Sequence, residues 1–439
     1  MNETASGPHD LRSVASAPRP LVAPRTTLLV LLLTTAILLL GSGLFGTLLG
    51  VRAGLEGIAT GMVGLIMSAY FAGFVVGTFL CVDVARRVGH IRAFAAFAAI
   101  VATMALAHAI WVAVLPWLVF RFVSGVALAG LALVIESWLN AQTPPERRGR
   151  TFALYMAVNL SAVAFGQLLL TAADPADFVL FAAVAMLFAL SLVPTALVRV
   201  EAPMLHAASG LGVGELARRS SVAVAGCFAA GVTGGAFWGM APVYLTLVGH
   251  AQGQVALFMF AAIVGGMLAR LPVGRFSDGR DRRRVLSAVS LPAAVAAAVV
   301  TAAGFAAFGA LAAAGFVFGA TMFPVYGLSV ARAHDELAPE QALDATRGLL
   351  IVFGVGAAFG PFAAGLAMSA LGPWALFAWV SLVFALLAAY SAHRLRVSEA
   401  IPPERQSHFV AVMATTQEAL EMAEAQACDA PPAGARPSQ

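Results

Sequence analysis

The stretch LPVGRFSDGRDRRRVLSAVSL, residues 271–291, holds the end of one apolar segment, a gap with five Arg residues and the start of the next apolar segment. A helix of about 20 apolar residues crosses the hydrocarbon core of a bilayer and satisfies its backbone polar groups internally. We count twelve such segments, at residues 28–49, 58–82, 93–114, 116–139, 151–172, 178–198, 222–248, 254–273, 285–306, 308–330, 346–371 and 373–392. The pattern predicts an all-α membrane protein with twelve transmembrane helices.

The basic residues are distributed unevenly between the two sides of the predicted membrane region. All 26 of them are Arg, and Arg52 is the only one in a gap that follows an odd-numbered segment. Arg121 lies inside a segment. We call the side of the even-numbered gaps the Arg-rich face and the other side the Arg-poor face. The positive-inside rule places the Arg-rich face and both termini in the cytoplasm. We therefore expect a multi-pass protein of the bacterial cytoplasmic (inner) membrane.

This topology can be tested with single Cys residues in a Cys-free background. An impermeant thiol reagent applied to intact cells should label Cys at Leu55, Pro175 and Ala251, which lie in gaps of the Arg-poor face. It should leave Cys at Leu205 and Ala425 unlabelled, because the Arg distribution assigns both to the cytoplasm. Labelling at residue 205 without labelling at residue 175 would invert the orientation.

Composition excludes several classes of function. The chain is 60% hydrophobic and 11% charged, far from the balance of a soluble domain. Its basic excess is explained by membrane orientation, so we expect no nucleic-acid partner. The three Cys residues have no paired spacing, and the sequence has no ATP-binding glycine loop, metal-ligand cluster or nucleophile–base arrangement. We expect a protein that is not an enzyme, with no metal site and no cofactor.

The longest internal gap divides the membrane region into two halves of six segments. Gly89 and Asp281 occupy equivalent gaps 192 residues apart, and Phe165-Gly166 and Phe359-Gly360 occupy equivalent segments 194 residues apart. Many secondary transporters are built from such repeats. The predicted organisation is a cytoplasmic tail, a six-helix bundle, a cytoplasmic linker, a second six-helix bundle and a second cytoplasmic tail, at residues 1–26, 27–198, 199–220, 221–393 and 394–439.

Residues 274–283, in the gap after the eighth segment, have the form G-x-x-x-D-x-x-D-x-R. Gly274 should let neighbouring helices approach closely, and Asp278 lies where it can pair with an Arg cluster that includes Arg282 and Arg283. This resembles the loop motif of the major facilitator superfamily, although Asp281 stands where the family more usually has a second Gly. The resemblance implies a cytoplasmic gate formed by Gly274, Asp278, Arg282 and Arg283.

A degraded copy of the motif follows the second segment. Counting back from Gly89, Arg86 occupies the acidic position, and Asp83 is displaced. The candidate gate residues of this copy are Asp83, Arg86, Arg87, Gly89 and Arg92. One hypothesis is a charge cluster that latches the two halves together, and the other is a basic loop that only sets the topology.

Two charged residues lie in the fourth segment. Arg121 is similar to the family's fourth-span motif R-F-x-x-G, and a charge within a span usually faces protein or a wet cavity. Snorkelling of Arg121 toward the nearby interface is the alternative. Glu136 lies about 22 Å further along the same helix, too far to pair with Arg121. Three hypotheses apply to Glu136. It is a gate acid that pairs with the Arg residues of the degraded copy, or a protonatable coupling site, or an inert buried carboxylate.

Polar and aromatic residues mark further candidates for a substrate path. Tyr155 and Asn159 share one stripe of the fifth segment, which fits either a cavity wall or a helix–helix contact. The seventh segment, with four Gly residues and a Pro, resembles a broken helix. Trp238 and Tyr244 in this segment and Tyr326 in the tenth are candidate cavity residues, and a role in the interfacial aromatic belt is the alternative.

A closer resemblance is to the YcaD-like branch of the same superfamily, over about residues 28–395. The residues that carry it are Arg121-Phe122-Val123 with Glu136-Ser137, Arg148-Gly149-Arg150 with Tyr155-Met156, Phe165-Gly166-Gln167-Leu168-Leu169, Pro242-Val243-Tyr244-Leu245 and Pro272-Val273-Gly274-Arg275. The resemblance implies a monomeric carrier in the lipid bilayer, with two bundles that rock to give alternating access to a small-molecule substrate.

Three hypotheses for function remain open at this point. The first is secondary active transport of a small solute, and within it proton-linked export is the favoured mode. The second is facilitated uptake without ion coupling, and the third is a receptor or scaffold built on a transporter fold. The first, seventh and tenth segments have no acid at mid-membrane, which argues against proton coupling. The well-formed second gate motif argues against a static scaffold.

Overall fold

The computed structural model describes residues 24–197, 212–304, 308–337 and 341–397, together with Pro402, Gln406 and Phe409. Most of the two predicted tails and residues 199–211 of the predicted linker lie outside this part of the chain. Within it, the secondary structure consists of helices and turns.

Twelve membrane spans form, as the apolar segments predict. We number the α-helices α1 to α14 in chain order: Pro24–Leu55, Thr60–Val88, His90–Ile110, Val114–Gln142, Arg148–Leu168, Val179–Ala196, Val213–Arg219, Ser221–Leu247, Gln252–Ser277, Arg282–Ala303, Phe308–Met322, Pro324–Glu336, Ala342–Leu371 and Ala375–Val397. Short 3₁₀ turns at Pro145–Arg147 and Leu169–Ala172 flank α5. Helix α7 lies in the predicted linker and spans nothing, and α11 and α12 together form the tenth span.

Helices continue past their apolar segments at the Arg-rich face. Helix α2 ends at Val88 and α9 at Ser277, several residues beyond the last apolar stretch. The chain then turns at Gly89 and Gly279, whose φ angles of 83° and 73° lie in the left-handed region that glycine adopts without strain. The helix ends thus carry the charged loops away from the hydrocarbon core.

Glycine contacts reveal that the two halves are related. A Cβ on Gly125 of α4 would collide with the carbonyl oxygen of Tyr70 on α2, and a Cβ on Gly319 of α11 would collide with that of Ala262 on α9. Tyr70 and Ala262 are 192 residues apart, and Gly125 and Gly319 are 194 apart. These are the offsets found in the sequence, so the same close helix contact occurs in both bundles.

The seventh span is not broken, contrary to the prediction from its glycines. Helix α8 runs without interruption for 27 residues and includes Pro242. Its glycines serve packing instead, because a Cβ on Gly231 or Gly235 would collide with the backbone of α13. Small residues allow helices in a membrane to approach closely without any break in the helix.

The tenth span consists of two helices. Helix α11 ends at Met322 and α12 begins at Pro324, with Phe323 between them. Proline has no N–H to donate and its ring crowds the preceding turn, which is the usual cause of such a break. The break places the Phe323 side chain against Phe237 and Trp238 of α8.

Candidate substrate cavity and gate

A cavity of about 220 Å³ lies between the two halves, in the part of the helices nearer their Arg-poor ends. Four helices of the first half and α8 of the second contribute its walls. The lining residues are Ser42, Gly43, Phe45, Gly46, Thr47, Tyr70, Phe71, Arg121, Leu128, Val163, Trp238 and Gly239. Arg121 is the one charged residue among them. The cavity is smaller than the roughly 300–1,000 Å³ of sites for drug-sized ligands, so its size suits a small solute.

Arg121 is buried, and its guanidinium faces this cavity. The Cζ atom of Arg121 lies 4.4 Å from the ring centroid of Tyr70 and 5.7 Å from that of Phe45. Its Nε has no hydrogen-bond partner, and no described residue forms an ion pair with it. The side chain is 5% exposed and does not snorkel to the interface. The cation is thus held only by aromatic faces.

A second buried cation, Arg270 of α9, is not among the site residues predicted from the sequence. It is 7% exposed, and its Nε and Nη1 are buried without hydrogen-bond partners. Its Cζ is 6.0 Å from the ring centroid of Phe323, and that ring is 5.9 Å from the ring of the cavity residue Trp238. The sequence does contain a signal for Arg270, because a charged residue within the apolar segment 254–273 is a candidate functional residue.

Glu136 is fully buried and contacts α5. The Tyr155 hydroxyl donates a hydrogen bond of 2.8 Å to Glu136 Oε1, and Asn159 hydrogen-bonds the same tyrosine. The stripe of α5 that carries Tyr155 and Asn159 therefore faces α4, and Val163 is the α5 residue that lines the cavity. Pairing of Glu136 with the Arg residues of the degraded motif remains a prediction.

The two other candidate tyrosines lie away from the lining of this cavity. Tyr244 is buried where α8 meets α14, with its ring 5.2 Å from that of Phe377. Tyr326 packs against Phe353 of α13 at 5.1 Å. The hydroxyls of both tyrosines are buried without a hydrogen-bond partner. Of the four aromatic candidates, Tyr155, Trp238, Tyr244 and Tyr326, only Trp238 lines this cavity.

The two halves contact each other near the Arg-poor face. Thr60 of α2 and Ser369 of α13 form a hydrogen bond with 2.8 Å between their hydroxyl oxygens. The Gln252 side chain of α9 donates to the carbonyl oxygen of Ala173 at 2.6 Å. Nearby, Gly50 of α1 packs against Pro242 of α8. These polar and small-residue contacts lie between the cavity and the Arg-poor face.

The degraded motif in the first half is largely exposed. Asp83 and Arg86 form a loose pair of 3.9 Å within α2, with side chains 69% and 34% exposed. Arg87 and Arg92 are also exposed, and Gly89 forms the turn between α2 and α3. A pair with this exposure contributes little to stability.

The second copy of the motif is built into the protein interior. Arg282 Nε lies 3.0 Å from Asp335 Oδ2 of α12, with both side chains fully buried, and Arg282 Nη2 lies 3.6 Å from Asp278 Oδ1. Arg283 pairs with Asp281 at 2.7 Å. Burial raises the pKa of the Asp281 carboxyl, but hydrogen bonds and the charge of Arg283 outweigh burial and hold this pKa below its ordinary value. These ion pairs join α9, α10 and α12 within one half.

A residue of the C-terminal tail docks on the second motif. The Phe409 backbone N–H donates to Asp278 Oδ1 at 2.9 Å, and the Phe409 ring lies where a Cβ on Gly274 would stand. The contact nearest to Gly274 is therefore with Phe409 of the tail, where the sequence predicts a neighbouring helix. Neither Asp335 nor Phe409 belonged to the motif from which the gate was predicted.

Two related six-helix bundles with a cavity between them define a membrane transporter. Residues 31–346 match the family model of the Major Facilitator Superfamily, and the chain belongs to this superfamily. It is 29% identical over 349 residues to the "Uncharacterized MFS-type transporter YcaD" of Escherichia coli O7:K1 (strain IAI39 / ExPEC). The alignment covers 78% of this chain and 87% of the relative. The protein is thus a multi-pass transporter of the YcaD-like branch, and not an enzyme.

Solved structures agree on the fold. The nucleoside transporter NupG aligns with a TM-score of 0.70 at 14% identity, over 84% of this chain and 98% of that chain. A bacterial homologue of the human lysosomal transporter Spinster, inward-facing and unoccupied, aligns with a TM-score of 0.62 at 16% identity, over 92% and 98% of the two chains. At these identities the likeness concerns the fold alone.

Proposed function

We propose that this protein is a secondary active transporter that carries a small solute across the bacterial inner membrane by alternating access. The observation that supports this proposal best is the cavity lined by both halves, with Arg121 on one side and Trp238 on the other. A site at the interface of two repeats near the bilayer midplane is the arrangement on which rocking-bundle transport depends. Both termini are assigned to the cytoplasm in this proposal.

The contacts at the Arg-poor face suit a closure that opens again. Thr60 and Ser369 meet through hydroxyls, and Gly64 of α2 approaches the backbone of α13 at Pro361 and Gly365. Such contacts involve no buried ion pair, so separating them does not expose an unpaired charge. A receptor or scaffold would need no separable contact here.

The test is access to Ser42, which lines the cavity and is partly exposed. In a Cys-free background, Ser42→Cys should react with an impermeant thiol reagent both in intact cells and in inside-out vesicles, because the cavity opens alternately to each face. Ser191→Cys, fully buried in α6, is the matched control and should react from neither side. Reaction of Ser42→Cys from one side alone would identify a fixed pocket and overturn alternating access.

Proton coupling is the second candidate, and buried Glu136 is the observation that favours it. An ionisable residue within a span is rare, and proton relays of membrane carriers are built from such residues. We retain the gate hypothesis for Glu136, in which its charge sets the balance between inward-facing and outward-facing states.

Glu136→Gln should therefore change the ratio of Ser42→Cys labelling from the two sides several-fold and leave the pH dependence of that ratio in place. The ratio would be measured between pH 5.5 and 8. Tyr155→Phe is the matched control, because it removes the hydrogen bond of 2.8 Å and keeps the carboxyl. If Glu136→Gln removes the pH dependence and Tyr155→Phe does not, Glu136 is the coupling site and the gate hypothesis is wrong.

A further inference from the structure

We propose that the solute carried by this protein is a small organic anion, whose carboxylate or phosphate group binds Arg121 in the cavity and Arg270 further along the path. The inference rests on the proposed transport function and adds the chemical class of its substrate.

The lining of the cavity is positively charged. Arg121 is the one charged residue among the lining residues, and none of them is an acid. Its guanidinium has no ion-pair partner in the described part of the chain. An unpaired cation in a membrane interior is costly, and the faces of Tyr70 and Phe45 offset only part of that cost. An anionic solute would supply the missing charge and accept paired hydrogen bonds from the guanidinium.

Arg270 lies at a different depth in the membrane from Arg121. Counted from the Arg-poor ends of α4 and α9, Arg121 lies about 10 Å and Arg270 about 27 Å into the membrane at 1.5 Å per residue. Arg270 therefore lies closer to the Arg-rich face, again buried and with unpartnered nitrogens. The rings of Trp238 and Phe323 connect the cavity with Arg270. Two unpaired cations at successive depths would hold the same anionic group in turn.

The arrangement disfavours the other solute classes. A cationic solute would meet Arg121 with no acid in the cavity to attract it. Glu136 does not serve this role, since it is fully buried against Tyr155 and about 22 Å from Arg121 along α4. A neutral solute would leave both guanidinium groups unpaired. The aromatic rings and small volume fit a compact anion with an apolar body.

The experiment compares matched ligands on the purified full-length protein. Benzoate and phenyl phosphate are the anionic probes, benzamide is the neutral probe and benzylamine is the cationic probe, each titrated against the thermal midpoint. Both anions, or one of them, should bind at least tenfold more tightly than benzamide and benzylamine. The stronger anion identifies the carboxylate or phosphate class.

The variants assign the binding to Arg121. Arg121→Gln should abolish the preference for anions, and Arg121→Lys should keep a weakened preference because it retains the charge without the paired donors. Arg218→Gln, exposed on α7, is the matched control and should bind as the wild type does. The midpoint without ligand and gel filtration verify the fold of each variant, and Arg270→Gln provides a second test if Arg121→Gln fails to fold.

The inference is overturned if no anion binds more tightly than benzamide, if benzylamine binds best, or if anion binding survives Arg121→Gln unchanged. Failure of the transport proposal would be seen separately, as one-sided labelling of Ser42→Cys. Two-sided labelling without anion preference would reject only the substrate class.

Discussion

Replacing Asp335 by Asn should destabilise the protein by about 3 kcal/mol, because it leaves Arg282 as a buried charge without its nearest partner. The two side chains are fully buried and 3.0 Å apart. Removing one member of a buried ion pair costs roughly 3–5 kcal/mol, and the lower end applies here since Asp278 remains 3.6 Å from Arg282. The measurement is the free energy of unfolding in detergent, with the thermal midpoint as a second readout.

The control is the corresponding loop of the first half. Asp83→Asn removes a partner of Arg86 from a pair that is 3.9 Å long and largely exposed, so the expected loss is below about 1 kcal/mol. The double variant Asp335→Asn with Arg282→Gln should recover part of the lost stability, since it removes the fully buried charge and only the partly exposed Asp278 loses a partner. Similar losses for Asp335→Asn and Asp83→Asn would show that the buried pair has no special role.

Span positions and the repeat could be predicted because they depend on one-dimensional properties of the chain. The apolar segments match the twelve spans closely, and Gly125 and Gly319 repeat the offset of 194 first seen at Phe165 and Phe359. Length, hydropathy and spacing determine these features, whatever the packing between helices.

The lining of the cavity could not be predicted in the same way. A span that is apolar all round has no hydrophobic stripe to show which side faces water. Tyr155 and Trp238 therefore looked equivalent in sequence, although only Trp238 lines the cavity. Tyr244 points into packed protein, where its ring contacts Phe377. The depth of a residue in the membrane follows from its position in the sequence. The direction in which its side chain points depends on contacts with other helices.

Glycine was misinterpreted for a related reason. Gly231 and Gly235 in the seventh span suggested a broken helix, but each makes room for the backbone of α13. A glycine that bends a helix and a glycine that admits a neighbour are indistinguishable in one sequence. The actual break, at Phe323 and Pro324, depends on a proline that lacks the donor for the helix ladder.

Crosslinking the Arg-poor face should stop transport completely. In a Cys-free background, Thr60→Cys and Ser369→Cys place thiols where two hydroxyl oxygens are 2.8 Å apart, so oxidation should form a disulfide between α2 and α13. The bond joins the two halves at the closed face, and a carrier that works by alternating access must separate them there. Reaction of Ser42→Cys from that face should fall to background, and reaction from the other face should persist.

Three comparisons make the result specific to this closure. Reduction of the disulfide should restore labelling from the Arg-poor face, and neither single Cys should affect it. Gly226→Cys with Ser329→Cys is the matched pair, because a Cβ on Gly226 would lie 3.0 Å from the Cβ of Ser329. This disulfide would join α8 to α12 within the second half and leave the halves free to separate. If Ser42→Cys still reacts from the Arg-poor face when crosslinking is complete, the solute reaches the cavity by another route. The contact between Thr60 and Ser369 would then not be the closure of this transporter, because a path that bypasses it cannot be gated by it.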